Sequence, residues 1–337
     1  MGKATKEQRE RLILNYHSKG DNALLSDTKL AQVIITKERL DYTADWFRKE
    51  VKNARAKFYS NKQSITLDIS DKEDNFGINI PSEYEGAKII ELPKTCDNIL
   101  ILNDIHVPYH IPTALNIALK YGRDNSVNTI ILNGDIADFT SLSQFDRLPK
   151  QRDFETELST LKNFLRQLRA LFPNAKIYYK FGNHEDRFDR YLLRHSVELY
   201  NVSGIRLEAQ LELNSPEINM GMVGSTDIIK AGKIFIAHGH EFDNGGGVNV
   251  ARQRLLKAFT NIISGHSHQS QTSPQNILGG EPIASYAIGC LCGLEPRWKR
   301  INNWSHGFGH LVIDNDGSET MKNFRISNGK IKEETKG

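Results

Sequence analysis

Five short clusters of Asp, Asn and His contain the side chains of this sequence that are best suited to chemistry. In chain order they are Asn103-Asp104-Ile105-His106, Gly134-Asp135-Ile136-Ala137-Asp138, Gly182-Asn183-His184-Glu185, His238-Gly239-His240 and Gly265-His266-Ser267-His268. Carboxylate, amide and imidazole groups together suit borderline divalent cations such as Mn²⁺, Fe²⁺ or Zn²⁺. Alternate residues of an extended chain project to the same side, so Asp-x-His and His-x-His can each reach one ion. A single cluster is more typical of a turn cap, but five in one chain predict a metal centre.

Each cluster directly follows a predicted buried strand. The apolar runs lie at residues 98–102, 129–132, 176–179, 233–237 and 261–263. Between the second and third runs, leucines recur at helical spacing; they are Leu158, Leu161, Leu165, Leu168 and Leu171. Strands that alternate with helices indicate an α/β fold, and such folds bind ligands at the carboxyl ends of their strands. We therefore expect the five clusters to converge.

The five clusters resemble the signature of the calcineurin-like metallophosphoesterase superfamily, which reads DxH, GDxxD, GNHE, H and GHxH in chain order. The resemblance covers about residues 97–325. The resemblance implies an α/β fold, a β-sandwich of two mixed sheets flanked by helices, and a two-metal phosphoesterase. It also implies that one ion is held by Asp104, His106, Asp135 and His268. Asp135 would bridge to a second ion completed by Asn183, His238 and His266. We expect two divalent ions, with Mn²⁺ as the first choice and Fe or Zn as alternatives.

The same resemblance implies a mechanism. A hydroxide between the two ions would attack phosphorus, because paired cations lower the pKa of bound water. His184 would face the phosphate and stabilise charge or protonate the leaving group. Asp138 matches the position that orients this His in some branches of the family; the alternative is a helix cap. His238 directly follows its strand and is preferred to His240 as a ligand, which leaves His240 for substrate contact or an outer position.

Two departures from the family pattern concern the substrate. Protein Ser/Thr phosphatases of the superfamily have Arg-Gly where this chain has Phe139-Thr140, and Arg where it has Phe181. Those arginines grip a phosphate monoester through paired contacts. We therefore predict an ester hydrolase of the phosphodiesterase or nuclease type, acting on nucleic acid or nucleotides. The alternatives are a phosphomonoesterase for a metabolite or phosphoprotein, and a DNA-binding regulator whose phosphoesterase domain serves for docking.

Two basic segments are candidates for substrate contact. Arg297 and Trp298 lie in a run with Lys299, Arg300 and Trp304 that is typical of single-strand binders, with loop packing as the alternative. On the helix predicted after GNHE, three arginines could steer polyanions or form surface ion pairs; they are Arg187, Arg190 and Arg194.

The positive charge is concentrated at the N-terminus. The 337 residues carry a net charge of +3, whereas residues 1–62 hold 14 Lys and Arg against 8 Asp and Glu. Helices are predicted at 6–17, from Ser26, and at 41–58, where Arg48, Lys52 and Arg55 form a basic face. Three short helices resemble a nucleic-acid-binding helix-turn-helix, with a plain helical bundle or docking arm as the alternative. The predicted divisions are a helical domain at 1–62, a connector at 63–96 and the phosphoesterase domain at 97–337.

Composition excludes several other classes of protein. Three cysteines without a CxxC pair argue against a disulfide framework or a structural zinc site and suit a reducing compartment. No apolar run approaches the roughly 18 residues of a membrane span, and the charged N-terminus is unlike a signal peptide. We expect a cytoplasmic protein of a bacterial cell, with a phage-encoded protein as the alternative, and no membrane partner.

Overall fold

The computed structural model describes residues 5–19, 22, 25–61, 86–145, 153–242, 247–297 and 299–333. The chain forms two compact units, Met1–Glu83 and Tyr84–Gly337. The second unit begins before residue 97 because its first strand, β1 (Ile89–Glu91), pairs in parallel with residues 228–230 far along the chain. The predicted connector therefore contributes to the sheet structure. Its predicted weak strand at 65–69 lies outside the described residues.

The first unit contains three helices, α1 (Lys6–His17), α2 (Asp27–Glu38) and α3 (Ala44–Asn61). Polar side chains start the first two, because the Thr5 hydroxyl accepts from the Gln8 amide and the Ser26 hydroxyl accepts from the Lys29 amide. Apolar residues from all three helices form its core; they are Ile13, Leu30, Ala31, Ile34, Phe47, Val51 and Ala54. The three predicted helices are confirmed, with the third displaced by three residues.

The second unit has two mixed sheets. The seven-stranded sheet has the order β13-β12-β11-β2-β3-β4-β5. Its parallel strands are β2 (Asn98–Leu102), β3 (Thr129–Asn133), β4 (Lys176–Lys180) and β5 (Gly221–Val223). Three antiparallel strands extend it, namely β11 (His306–Ile313), β12 (Glu319–Ser327) and β13 (Lys330–Glu333).

The six-stranded sheet has the order β1-β6-β7-β8-β10-β9. Beyond β1, its strands are β6 (Ile228–Ala231), β7 (Ile234–Ala237), β8 (Ile262–Ser264), β9 (Gln271–Gln275) and β10 (Ile283–Ala287). Strands β7 and β8 are parallel neighbours. The five strands predicted to precede the polar clusters are thus confirmed, three in one sheet and two in the other.

Helices flank the sheets and close the core. They are α4 (Pro112–Asp124), α5 (Phe154–Leu171), α6 (Asp186–His195), α7 (Leu207–Gln210) and α8 (Val250–Ala258). Strand β2 is apolar because both of its faces are buried. Leu100 and Leu102 pack towards helices, and Ile99 and Ile101 pack between the sheets. Burying each such side chain contributes about 1.5–3 kcal/mol, so both faces hold the strand in place. None of the helices that the structure describes is long and apolar enough to cross a membrane.

Candidate metal centre

The polar clusters of both sheets meet at one end of the sandwich. The Asp104 carboxylate, after β2, accepts a hydrogen bond from the His266 amide, after β8, at 2.8 Å. The His238 ring, after β7, is bonded through Nδ1 to the carbonyl of Asn133 at the end of β3, at 2.7 Å. These contacts join residues more than 100 positions apart, and they bring the predicted clusters together as expected.

The first predicted ligand group lies on this shared edge. The Asp104 Oδ1 atom is 3.1 Å from His268 Nε2 and 3.9 Å from His106 Nε2. The two ring nitrogens are 3.3 Å apart. Donors bound to one ion at about 2.1 Å lie roughly 3–4 Å from one another. The three atoms therefore have the spacing of ligands to one cation.

The second group lies beside the first. The Asp135 Oδ2 atom is 3.2 Å from His238 Nε2, and the ligand atoms of Asp135, His238 and His266 all lie within 4.8 Å of one another. Asp135 Oδ2 is also 4.0 Å from His106 Nε2. Asp135 thus lies between the two groups, at the bridging position that the family pattern implies.

The hydrogen bonding of these residues fits a pair of divalent cations. Several buried polar atoms among the described residues have no hydrogen-bond partner, and two of them, Asn183 Oδ1 and His266 Nδ1, belong to predicted ligands and have no ion-pair partner either. Leaving a buried polar atom unpaired costs about 1–3 kcal/mol. The fold thus keeps an amide oxygen and a ring nitrogen ready for a partner other than protein.

The backbone at the centre is strained where it turns its ligands inward. Five predicted ligands adopt the left-handed conformation, with φ between 51° and 63°: Asp104, His106, Asp135, His266 and His268. Outside glycine this conformation costs about 1–3 kcal/mol per residue and concentrates at functional sites. Glycine is needed at Gly182, where a Cβ atom would collide with Asp135, and at Gly134, where it would collide with the His238 ring.

Burial and charge oppose each other at these ligands. Burial disfavours the charged form of His238 and His268, but the carboxylates of Asp135 and Asp104 outweigh it and raise their pKa values to about 9 and about 10. Burial, assisted by His238, lowers the pKa of His266 to about 4. A metal ligand must be neutral imidazole, so cation binding would release protons from His238 and His268.

His184 lies at the edge of the ligand groups. Its Nδ1 atom bonds to the Asp138 carbonyl at 2.9 Å, which leaves Nε2 towards the centre, 3.9 Å from Asp135 Oδ2. His184 also lies within ligand distance of His106 and Asp135. However, the Arg187 guanidinium is 3.0 Å from His184 Nε2 and would repel a cation at that atom. This arrangement favours a phosphate-facing position for His184.

Asp138 orients two histidines. Its carboxylate is 2.8 Å from His106 Nδ1 and 3.4 Å from His184 Nδ1, while its carbonyl oxygen makes the shorter bond to His184. The predicted orientation of His184 by Asp138 thus involves the main chain as well as the side chain. The carboxylate also fixes His106 with Nε2 towards the other ligands.

The predicted substrate contacts are only partly brought to the centre. His240 lies next to two ligands, with its ring 5.4 Å from that of His238 and 6.3 Å from that of His266. Arg297 is exposed, and no contact among the described residues joins it to the ligands. Trp298 lies outside the described residues. Trp304 of the same segment does reach a predicted ligand, because its ring lies 4.1 Å from the His268 ring.

Glu185, the last residue of GNHE, has a structural role that the sequence did not reveal. Its buried carboxylate accepts hydrogen bonds from five donors at 2.8–3.0 Å; they are the amides of Gly182, Asp135, Ile136 and Ala137 and the Tyr179 hydroxyl. It therefore fastens the GDxxD turn to the GNHE turn. The one sign of this role in the sequence was an acid at the end of the GNHE cluster.

A buried ion pair supports the turn that carries His238. Lys180 Nζ is 3.0 Å from Glu241 Oε1, and Glu241 accepts from the amides of His238 and Gly239 at 3.0 and 2.6 Å. Behind the same turn, the buried Arg254 donates to the Gly265 carbonyl at 2.9 Å. These charges hold the His238 and His266 turns, and sequence spacing alone gave no sign of them.

The predicted nucleic-acid contacts belong to the helical unit. The Arg55 guanidinium is occupied within that unit, because it donates to Asn22 and Leu25 carbonyls and to Asp27 at 2.8–3.0 Å. Its role is to join α3 to the start of α2. Arg48 pairs with Asp45 at 3.2 Å, and Lys52 is exposed. The basic face therefore consists of Arg48 and Lys52 rather than all three residues.

Two mixed sheets thus meet at an edge rich in Asp, Asn and His, where several of these side chains are close enough together to hold a metal ion. The sequence model of the calcineurin-like phosphoesterase family matches residues 98–285, which is more than half of the chain. The chain therefore belongs to the calcineurin-like phosphoesterase family, as its motifs predicted. Family membership supports phosphoesterase, hence hydrolase, activity with divalent metals.

Several known proteins and solved structures are similar to this chain. The gene 54 protein of Mycobacterium phage L5 is 24% identical over 235 residues, which cover 64% of this chain and 89% of the phage protein. A Vps29 mutant from Entamoeba histolytica is 16% identical with a TM-score of 0.37, covering 70% of this chain and 97% of its own. A dimetal phosphatase from Danio rerio is 12% identical with a TM-score of 0.35, covering 68% and 96%. The family assignment rests on the sequence match.

Proposed function

We propose that this protein is a phosphodiesterase that hydrolyses nucleic acid or a nucleotide with two divalent cations, Mn²⁺ first among them. The observation that carries the choice of diester is the burial of Phe139 and Phe181 in the apolar core. These residues stand where protein phosphatases of the family have arginines. An aromatic core residue cannot grip the doubly charged oxygens of a monoester, whereas a diester has one charge fewer to neutralise.

The proposed roles follow from the geometry. Asp104, His106, Asp135 and His268 would hold one cation, and Asn183, His238 and His266 would join Asp135 at the other. When bound, the cations would polarise the phosphoryl oxygens and activate the attacking water. His184 Nδ1 donates to the Asp138 carbonyl, and Nε2 accepts from Arg187 in this structure; His184 would protonate the leaving oxygen after Nε2 has exchanged Arg187 for a proton from solvent. Burial lowers the pKa of His184, but Asp135 and Asp138 outweigh it and raise that pKa.

A phosphomonoesterase is the second candidate, and Arg187 is the residue that favours it. Its guanidinium lies 3.0 Å from His184 Nε2 and is held by the Asp138 carbonyl at 2.8 Å. A guanidinium at this position could pair with two terminal oxygens of a monoester.

The test is hydrolysis of bis-p-nitrophenyl phosphate and p-nitrophenyl phosphate by the Mn²⁺-loaded protein, with single-stranded DNA and cyclic nucleotides as natural esters. We expect kcat/KM at least tenfold higher for the diester, and Asp135→Asn as a matched control should abolish hydrolysis of both. A preference for the monoester, lost in Arg187→Gln, would replace the first candidate by the second. A metal-loaded protein that cleaves neither ester would favour the docking-domain alternative.

A further inference from the structure

A cationic pocket adjoins the candidate metal centre. Its volume is about 470 Å³, and its lining includes Phe145, Asn183, Arg187, Arg190, Tyr191 and Arg194. Asn183 is a predicted metal ligand, and Arg187 contacts His184 at 3.0 Å. The pocket therefore adjoins His184.

Helix α6 spaces the three pocket arginines along one face. Residues at i, i+3 and i+7 lie on the same side of a helix, and seven residues span about 10 Å. The row of arginines is therefore long enough to meet more than one phosphate of a bound strand. Arg187 is the innermost arginine and lies beside His184, whereas Arg190 and Arg194 are the outer two.

The two outer arginines keep much of their charge available. Arg190 donates to the Asn183 carbonyl at 3.5 Å and is 3.7 Å from Asp186, with nearly half of its side chain exposed. Arg194 is exposed and forms no ion pair with any residue that the structure describes. The nearby Asp189 is paired with Arg206 at 3.2 Å instead. The outer part of the pocket is thus positively charged.

Two aromatic rings are exposed in the same pocket. Phe145 is 80% exposed, and Tyr191 is 43% exposed with its ring 4.7 Å from the His195 ring. Both rings are therefore accessible to a ligand in the pocket. Exposed rings beside cations are the combination with which proteins bind single-stranded nucleic acid, since each base stacks on a ring and each phosphate meets a cation.

We propose that this pocket binds the single-stranded nucleic acid segment on the leaving-group side of the scissile phosphodiester, a proposal that rests on the proposed function. Arg190 and Arg194 bind the next phosphates of the strand, and Tyr191 and Phe145 stack on its bases. The leaving-group side is assigned through His184. His184 would protonate the leaving oxygen, and Arg187 connects His184 to the pocket.

The activity test compares a substrate that fills the pocket with one that does not. Tetrathymidylate extends beyond the scissile ester, whereas bis-p-nitrophenyl phosphate has no flanking phosphate. We expect the double variant Arg190→Gln and Arg194→Gln to lose about tenfold more kcat/KM on tetrathymidylate than on the aryl diester, mostly through KM. The matched control removes two cations from α4, Lys120→Gln with Arg123→Gln, and should leave both activities unchanged. Equal losses on the two substrates would overturn the proposal.

Binding without turnover separates this proposal from the proposed function. Fluorescent tetrathymidylate is titrated with protein in EDTA, and log Kd is followed against log salt concentration. Two lost phosphate contacts should reduce the slope by about 1.4, because each contributes about 0.7 on single strands. Tyr191→Leu should weaken binding without changing the slope. An unchanged slope in the arginine variant would overturn the pocket proposal, whereas tight, arginine-dependent binding by a protein that cleaves only monoesters would overturn the proposed function alone.

Discussion

Asp135 and His184 lie 3.9 Å apart, yet they have different neighbours. Asp135 contacts both ligand groups, whereas Nε2 of His184 is next to Arg187. Asp135→Asn should therefore lose bound metal and nearly all activity. His184→Ala should keep both ions and lose about 10²–10⁴-fold in kcat, because it removes a proton donor that acts in the transition state. Metal content of the purified variants decides this, and a metal-depleted His184→Ala would show that His184 is a ligand.

At the residue scale, the sequence predicted which polar side chains meet better than it predicted what supports them. Position after a strand was enough to predict that the clusters of Asp104, Asp135 and His268 converge, whereas their assignment as ligands came from the family resemblance. Glu185 and Arg55 act through main-chain partners distant in sequence, and no spacing rule shows which carbonyl or amide a buried charge will meet. For the same reason Arg55 was predicted to lie on a basic surface. The helical pattern did not show that the Asn22 and Leu25 carbonyls accept hydrogen bonds from it.

The turns that present the ligands depend on buried acids more than on local propensity. Glu185→Ala would leave four amides and the Tyr179 hydroxyl without their acceptor. We expect the free energy of unfolding of the metal-free protein to fall by about 3–4 kcal/mol, together with loss of metal binding. Urea unfolding and metal analysis measure the two effects.

The matched control for that variant is Glu157→Ala. Glu157 is also a buried acid that accepts from two amides, those of Thr140 and Ser141, at 3.0 and 3.1 Å. The Glu157→Ala variant should also be less stable than the parent but keep its metals, because Glu157 does not hold a turn that carries a predicted ligand. If both variants keep their metals, Glu185 supports the fold and not the centre.

The Lys180–Glu241 pair should make the His238 turn sensitive to acid. Burial raises the pKa of Glu241, but Lys180 and the amides outweigh it and lower that pKa to about 2. A carboxyl with a lowered pKa stabilises the fold above its ordinary value of about 4.3, and this contribution disappears as pH falls towards 2. Its size is about 3 kcal/mol at neutral pH.

The corresponding variant is Glu241→Gln, compared with the parent by urea unfolding at pH 7, 5 and 3. Its deficit in unfolding free energy should be largest at pH 7 and shrink by pH 3, where the parent has lost part of the same contribution. Glu281→Gln removes an exposed partner of Lys233 and should have little effect at any pH. A deficit that does not change with pH would mean that the charge of Glu241 is not what stabilises the turn.

At the element scale, strands were easier to predict than sheets. The runs at 98–102 and 129–132 are apolar because both of their faces are buried, so their positions follow from local sequence. Strand β1 has three residues and a mostly exposed surface, and only its pairing with β6 makes it a strand. The division of five parallel strands between two sheets likewise depends on contacts between distant residues. The family resemblance, and not periodicity, supplied that part of the fold.

The whole chain combines a phosphoesterase unit with a helical unit that carries most of the excess positive charge. Part of that charge is used internally, since Arg55 pairs with Asp27, Arg9 with Glu50 and Lys57 with Glu10. The net charge of a segment therefore overstates the charge that it can offer to a partner. Arg48 and Lys52 on α3 are the residues that still support a nucleic-acid contact.

If this remaining basic face binds duplex DNA, its affinity must depend on salt. Arg48→Glu with Lys52→Glu should weaken binding and reduce the slope of log Kd against log salt concentration by about 1.8, because each phosphate contact contributes about 0.9 on duplex DNA. The matched control, Lys29→Glu with Lys37→Glu, reverses two exposed charges on α2. It should reduce the slope by less than the α3 variant does. Hydrolysis of bis-p-nitrophenyl phosphate should be unaffected in both, since every predicted metal ligand lies after residue 97. Equal slopes for the parent and the α3 variant would exclude α3 as a DNA contact, and a docking arm would then explain the helical unit better.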